Sequence, residues 1–462
     1  MHEIKTKIDI FDTICRAARL KNLGLFVGAG FSKSILDNDF NYLSYSWGEL
    51  LKECCNVMNV DLEIMKTNAS YPEIASKICK QYSINEELSY DIASKKLKDI
   101  IADLTYSFPS KDVQQKYYDC LDPLQIEWIV TTNYDTLLES IFGGKSYSIS
   151  PDESFVKINN MIPIYHIHGV RTHSESIVIT NEDYAKLFRP SDYRQARLPF
   201  LIKESLVLMI GYGLGDINVL TAVDWSKNVY TAKNRNRDYE FPIIQLLYKS
   251  EPKDKPYKDE SGIYIFEIDD IETFFTQLQK RYKETQEEYN DLLQKTNKYI
   301  DIFNLASEED IDRYIKNQEN CRTNTINFIA SLSQEFFYIY NSFLNFIRLV
   351  IKEIDQRSHV DGAFGYYDVK LCVILDILEH IPLEVMPQSY IYYLANQLDD
   401  VAPMIGKKRG YSWKAFNTWE ERKLFIPQKV LNALNEIIEH DFWNRYLPLN
   451  DLLSTIKNKE ET

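Results

Sequence analysis

The sequence has no CxxC pair: its seven cysteines, at positions 15, 54, 55, 79, 120, 321 and 372, are scattered along the chain. That excludes the usual cysteine-rich zinc knuckles and leaves no disulfide framework, so reduced thiols in a cytosolic protein are expected. Long hydrophobic runs are missing too. The most apolar late stretch, Phe336 to Val350, is interrupted by Asn341, Asn345 and Arg348 and is too short and too polar to span a bilayer. The opening stretch MHEIKTKIDIFDTICRAARL carries charge throughout and lacks the apolar region of a signal peptide. A cytoplasmic protein is therefore expected. Positive charge is in deficit, with 53 Lys and Arg against 68 Asp and Glu. The resulting net charge of −15 argues against a broad nucleic-acid footprint and against anionic membrane surfaces.

Aromatic residues, by contrast, are plentiful, with 32 tyrosines and 23 phenylalanines, enough to serve interfaces as well as cores. At 462 residues the length suits two to three domains. Two textures divide the chain. Between residues 20 and 270, apolar runs of strand length recur: LGLFV at 23–27, EWIVT at 127–131, IPIYHI at 162–167, SIVIT at 176–180, LVLMIG at 206–211, PIIQLLY at 242–248 and IYIFE at 263–267. Continuous rather than alternating hydrophobicity marks strands buried on both faces, as in a parallel sheet covered by helices. Helical stretches at 85–104 and 135–142 fall between some of them, which predicts an α/β, Rossmann-like, doubly wound and mostly parallel sheet. From about residue 276 the pattern turns helical, and Phe336, Ile339, Tyr340, Phe343, Phe346, Ile347 and Val350 form one apolar stripe. Only four of the 15 glycines lie beyond residue 285. The expected division is 1–285 for an α/β domain and 286–462 for an all-helical one. The basic run Lys407-Lys408-Arg409 sits between glycines and reads as a solvated turn before it reads as a phosphate site.

Four constellations carry chemistry. In Gly28-Ala29-Gly30-Phe31-Ser32 a buried strand runs into a glycine turn, which suits either a tight turn or a loop that approaches a pyrophosphate at a helix N-terminus. In Thr131-Thr132-Asn133-Tyr134-Asp135, polar groups gather at a strand's carboxyl end, where open α/β sheets bind ligands; equally, Asn133 or Asp135 can cap the next helix. His166 and His168 in HIHG have the i, i+2 spacing that places two rings on one face of a strand. No third ligand follows by spacing, so no metal is expected. His168, beside Gly169, is the better placed for reaction, and His166 reads as a supporting or core residue. The fourth, Gly211-Tyr212-Gly213-Leu214-Gly215-Asp216, opens a second glycine-rich turn that can admit a ribose or adenine.

Taken in this order, GAGFS, TTNYD, HIHG and GYGLGD resemble the sirtuin superfamily, most closely the sirtuin-like domains of bacterial anti-phage defence proteins. Trp47, Tyr71-Pro72 and Thr180 to Tyr184 agree with it, and the resemblance covers roughly residues 15–270. Departures from the deacetylase pattern bear on the activity. No cysteine lies between 120 and 321, so the four-cysteine zinc ribbon is missing; Asp39-Phe40 is followed by Asn41 rather than Arg; and Thr132 stands where a Gln is usual. The resemblance therefore implies an NAD+ glycohydrolase that cleaves the nicotinamide–ribose bond, with NAD as substrate and no metal. It implies Asn133 and His168 as catalytic residues, and Gly28, Ala29, Gly30, Phe31, Ser32, Thr132, Asp135, Gly211, Tyr212 and Asp216 as the NAD-binding set. It further implies a regulated effector of antiviral defence, a homo-oligomer switched on by a partner such as a phage protein, an Argonaute-like subunit or a HerA-type ATPase, with the helical part serving oligomerisation or sensing. The competing readings are an NAD-binding or ADP-ribose-binding sensor subunit, an NAD-dependent protein deacylase and a purely structural subunit.

Overall fold

A computed structural model describes residues 4–36, 44–66, 69–151, 153, 158–187, 193–212, 223, 226, 241–358, 364–440 and 445–456. The chain divides into two compact units, Met1–Gln286 and Glu287–Thr462.

The first unit is built on one eight-stranded sheet in the order β3-β4-β2-β1-β5-β6-β8-β7. Its strands are β1 (Leu23–Val27), β2 (Trp128–Thr131), β3 (Ser146–Ile149), β4 (Ile162–His166), β5 (Leu206–Ile210), β6 (Ile243–Tyr248), β7 (Tyr257–Lys258) and β8 (Tyr264–Ile268). Every pairing is parallel except β7 with β8. Without the edge strands β3 and β7, the order is the 3-2-1-4-5-6 of a doubly wound dinucleotide-binding sheet. The fold is thus a Rossmann-like, mostly parallel α/β sheet followed by a largely helical C-terminal part.

The apolar runs reflect burial on both faces. Leu23, Leu25 and Val27 of β1 join the core beneath helices α1 (Lys7–Arg19) and α2 (Ala29–Leu36), while Phe26 packs into the opposite core with Val130, Met209 and Tyr212. Gly24 interrupts β1 because the Trp128 ring of the neighbouring strand lies over it; a Cβ there would sit 2.0 Å from that ring. The indole N–H of Trp128 donates to Ser205 Oγ at 3.1 Å.

Between β1 and β2 the chain inserts helices α3 (Trp47–Val57), α4 (Tyr71–Asn85), α5 (Tyr90–Leu104) and α6 (Lys111–Leu121). Helices α3 to α5 share a core of their own, including Leu51, Cys54, Ile78, Leu97 and Ile101. Burial pushes the Cys54 and Cys79 thiols up to about 12, so these two act as packing groups. The rest of the unit adds α7 (Leu137–Phe142), α8 (Asn181–Leu187) and α9 (Tyr193–Glu204), and the division between units falls within α10 (Ile271–Asn304).

Two expectations from sequence fail here. The run Ile177–Thr180 is buried but forms no strand. Ile177 and Ile179 pack with Tyr134 into the core of α3 to α5, and the segment's bonds go elsewhere: Val178 N–H to His168 O at 2.8 Å and Val178 O from the Tyr134 hydroxyl at 2.9 Å. The predicted helix at 85–104 begins only at Tyr90. Strands β3 and β7, with no long apolar run, escape the pattern.

The second unit has one continuous core around Phe343, Phe346, Ile347, Tyr390, Trp419 and Leu434. The stripe read from sequence lies mostly on helix Ile339–Ser358. Buried Lys370 is paired with Asp355 at 2.9 Å and Asp400 at 2.6 Å, as a buried charge requires. Among the described residues no helix is long and apolar enough to cross a membrane.

The carboxyl ends of β1 and β5 meet without any side chain between them. Gly30 N–H donates to Gly211 O at 2.8 Å, Gly211 has φ of +61°, and a Cβ on it would stand 2.0 Å from Phe31 N. A Gly211→Ala variant is expected to lose at least about 1–3 kcal/mol from backbone strain alone, with the clash added. Denaturant unfolding of the full chain checks this, and wild-type stability in the variant would rule out so close a contact.

Candidate functional site

In the 3-2-1-4-5-6 arrangement the chain reverses its direction of winding between β1 and β5, and ligands bind outside the carboxyl ends of the strands near that point. The ends of β1, β2, β4 and β5 carry the four constellations. β1 passes through Gly28 directly into α2, and Phe31 N–H bonds back to Gly28 O at 3.0 Å. The first turn of α2 brings Ser32 over the end of β2.

Asn133 is held at three points. Its N–H donates to Thr131 Oγ1 at 3.0 Å, its carbonyl accepts from His166 Nδ1 at 3.1 Å, and its Nδ2 donates to Ser32 Oγ at 2.9 Å. The Thr131 hydroxyl is in turn fixed on Val27 O at 3.0 Å. Ser32 Oγ donates to Asp135 Oδ2 at 2.9 Å, and Asp135 Oδ1 accepts the first amide of α7, Leu137 N–H, at 3.1 Å. Asp135 therefore supports the helix and completes the Ser32–Asn133 row at once. Burial pushes its carboxyl up, against the opposing pull of the Leu137 amide and the Ser32 hydroxyl. Among the described residues no hydrogen bond engages Asn133 Oδ1.

A pocket open to solvent lies against this row. Its lining includes Ala29, Ser32, Thr132, Asn133 and Asp135 together with Tyr45, Trp47 and Leu104. Among the described lining residues there is no Lys or Arg. Amides, hydroxyls and one carboxyl suit the hydroxyls of a ribose; a pyrophosphate would depend on the amides where α2 begins.

The remaining sequence candidates fall in three places. Gly28 and Gly30 face Gly211 and Tyr212 so closely that a Cβ on either would come within 2.9 Å of that segment. Their small size serves loop packing first. Tyr212 is a core residue, its ring 5.3 Å from that of Phe26 and its carbonyl held by Gln245 Nε2 at 2.9 Å. Phe31 also turns into the core, edge-on to Tyr117 at 5.9 Å, and takes no part in lining the pocket. Asp216 and its neighbours Gly213 to Gly215 lie outside the described residues.

The two histidines do not share a face, contrary to the strand-spacing expectation, because β4 ends at His166 and the chain turns there. His168 is fully buried, its ring edge-on between Trp47 at 6.2 Å and Tyr184 at 5.4 Å. Trp47 lines the pocket and His168 does not. His166 bonds Glu139 Oε1 through Nε2 at 2.7 Å, and the Ser148 hydroxyl also bonds that oxygen. Burial alone would lower His166 and raise Glu139; the bond and charge each offers the other outweigh it, so His166 lies above its usual value and Glu139 below. Sequence reasoning missed Glu139, the third residue of a short amphipathic helix. Its four-residue offset from Asp135 is the one signal available.

Residues 127–266 match the SIR2-like domain family. The match opens one residue before β2 and closes within β8, taking in Asn133, Asp135, both histidines and Gly211 while leaving Gly28–Ser32 outside. It spans less than a third of the chain. No curated protein matches the sequence. A SIR2-like domain implies NAD-related activity.

The Asp135 environment has a pH signature. A carboxyl whose folded value is raised favours folding fully below its unfolded value, about 3.9, and that contribution is lost as pH rises through the folded value. The stability of Asp135→Asn relative to wild type is therefore expected to improve as pH rises from about 4 through the raised value. Thermal melts across that range test it; a difference independent of pH would mean that the carboxylate carries no burial penalty.

Proposed function

We propose that the SIR2-like part of this chain is an NAD+ glycohydrolase, cleaving the bond between nicotinamide and ribose to give nicotinamide and ADP-ribose. The observation that carries the reading is the row Asn133–Ser32–Asp135 on the pocket wall, with Asn133 Oδ1 left for a ligand. The transition state for such a cleavage is oxocarbenium-like, so the protein must fix the ribose and offer electron-rich groups near its anomeric carbon. Asn133 would orient a water or a ribose hydroxyl there. Ser32 and Asp135 hold Asn133 in place and can accept ribose hydroxyls. His168 would act as general base on a ribose hydroxyl or the attacking water, a role worth about 10²–10⁴-fold. With water as acceptor, its oxygen bonds to the anomeric carbon, the nicotinamide nitrogen leaves with the bonding pair, and one proton is released.

The lack of a cysteine between 120 and 321 removes the zinc ribbon on which the deacetylase pattern relies and favours water over an acyl-lysine peptide. The resemblance to defence proteins supports a regulated effector that depletes NAD in the cytoplasm. Residues 286–462 would then serve oligomerisation or sensing, with activation by assembly or by a protein partner. One observation favours a second reading, a non-catalytic NAD or ADP-ribose sensor: His168 is fully buried and is not among the residues that line the pocket.

Nicotinamide release from NAD by the full chain, alone and with candidate partners, separates the two. Wild-type turnover without any peptide, falling about 10²–10⁴-fold in His168→Ala and to a comparable extent in Asn133→Ala, is the expected result. Binding of NAD with no turnover under any condition would establish the sensor instead.

A further inference from the structure

Both ring nitrogens of His166 face acceptors. Nε2 meets a carboxylate oxygen of Glu139, and Nδ1 meets the main-chain carbonyl of Asn133, which has no proton to give. A neutral imidazole donates through one nitrogen only, so with Glu139 ionised, as its lowered carboxyl favours, satisfying both bonds requires the ring to carry two protons. Glu139 Oε2 is buried and has no hydrogen-bond partner among the described residues, while Oε1 takes the bonds of His166 and Ser148. A carboxylate sequestered in this way is tolerable when a cation sits against it.

The bonds also close on themselves. Glu139 of α7 holds His166, His166 holds the Asn133 carbonyl, the Asn133 amide holds Ser32, Ser32 holds Asp135, and Asp135 holds the Leu137 amide of α7 again. Helix α7 thus begins and ends a ring of side chains and main chain that contains the residue facing the pocket. Breaking the ring at His166 releases the carbonyl of Asn133 and with it the aim of its side chain.

We propose that Glu139 is a positioning residue that keeps His166 as a buried imidazolium, and that this cation fixes Asn133 in the geometry needed for cleavage. The assignment rests on the NAD+ glycohydrolase reading for its effect on turnover, but the charge state of His166 stands apart from that reading. The groups facing His166 are the Glu139 carboxylate on α7, the Ser148 hydroxyl on β3 through Glu139, the Asn133 carbonyl at the end of β2 and, as the smallest contributor, Asp135. For His166, with its folded value raised, the stabilising bond is complete below about pH 6.5 and is lost as pH rises through the raised value. For Glu139, with its value lowered, the bond is complete above about pH 4.3 and is lost as pH falls through the lowered value. Between these two limits the ring is fully charged, and turnover should fall at the alkaline side as His166 gives up a proton.

The test uses the full chain in two arms. Histidine-labelled NMR titration of wild type, with the His166 signal assigned by its loss in His166→Gln, is expected to show a doubly protonated ring at pH 7. A neutral His166 at pH 7 would overturn the proposal whether or not the protein turns over NAD. In the second arm, nicotinamide release is followed against pH. Glu139→Gln keeps an acceptor but removes the charge, and it should move the alkaline limb down by about 1–3 pH units with little change in KM for NAD. Glu139→Asp should keep the limb near that of wild type. An unmoved limb in Glu139→Gln would also overturn the proposal. Wild type without turnover at any pH would instead sink the hydrolase reading, leaving the titration to decide the charge of His166. If Glu139→Gln fails to fold, the wild-type titration and the Glu139→Asp profile still decide.

Discussion

The arrangement depends on two loops that touch through bare backbone. Gly28 and Gly30 at the end of β1 lie against Gly211 and Tyr212 at the end of β5, with room for no side-chain atom between them. This contact lies at the switch point of the doubly wound sheet, beside its first strand. It sets where α2 begins, and therefore where Ser32 projects. Ser32 then reaches across to β2, where it ties Asn133 to Asp135. A glycine loop of this kind is usually credited to the ligand that it approaches. Here the nearest neighbour of those glycines is the protein itself, and it is Ala29 and Ser32 of the same turn that line the pocket.

The pocket is unusual for its electrostatics. A half-buried carboxyl, a buried amide and seven hydroxyl-bearing residues line it without a Lys or Arg among the described residues. His166 is not among the lining residues; its two ring nitrogens are taken up by Glu139 and a main-chain carbonyl. Oxygen acceptors therefore dominate the described lining.

Much of this was legible in the sequence, and the parts that were not share a cause. The runs at 23–27, 128–131 and 206–210 identify central strands because residues buried on two faces have no polar positions to spare. Their polar exits, Ser32 and Asn133, follow from the rule that α/β sheets bind at strand ends. Ile177 to Thr180 has the same apolar texture but packs against helices with no strand partner, a difference that hydrophobicity does not encode. Spacing placed His166 and His168 together only so long as the strand continued, and it stops one turn too early. Glu139 was invisible because its partners, His166 and Ser148, come from two other strands, and no local pattern foretells a contact made in the third dimension.

The sheet's strand order has a consequence for how the chain is made. β1 pairs on one side with β2, about a hundred residues later, and on the other with β5, which ends at Ile210. At roughly 5–20 residues per second, the ribosome takes on the order of 10–40 s to deliver β5 after β1 has emerged. During that interval β1 has an open, wholly apolar edge, and contacts of such sequence separation form late. The three-helix insertion of α3 to α5, with its own core, is synthesised within the same interval and can fold before the sheet closes. The residues that line the pocket, Ala29 to Asp135, have all been made before Gly211 can dock on Gly30, and β6 and β8 join the sheet later still. The turn that carries Ser32 is thus braced from β5 only after its neighbours in the pocket wall are already present.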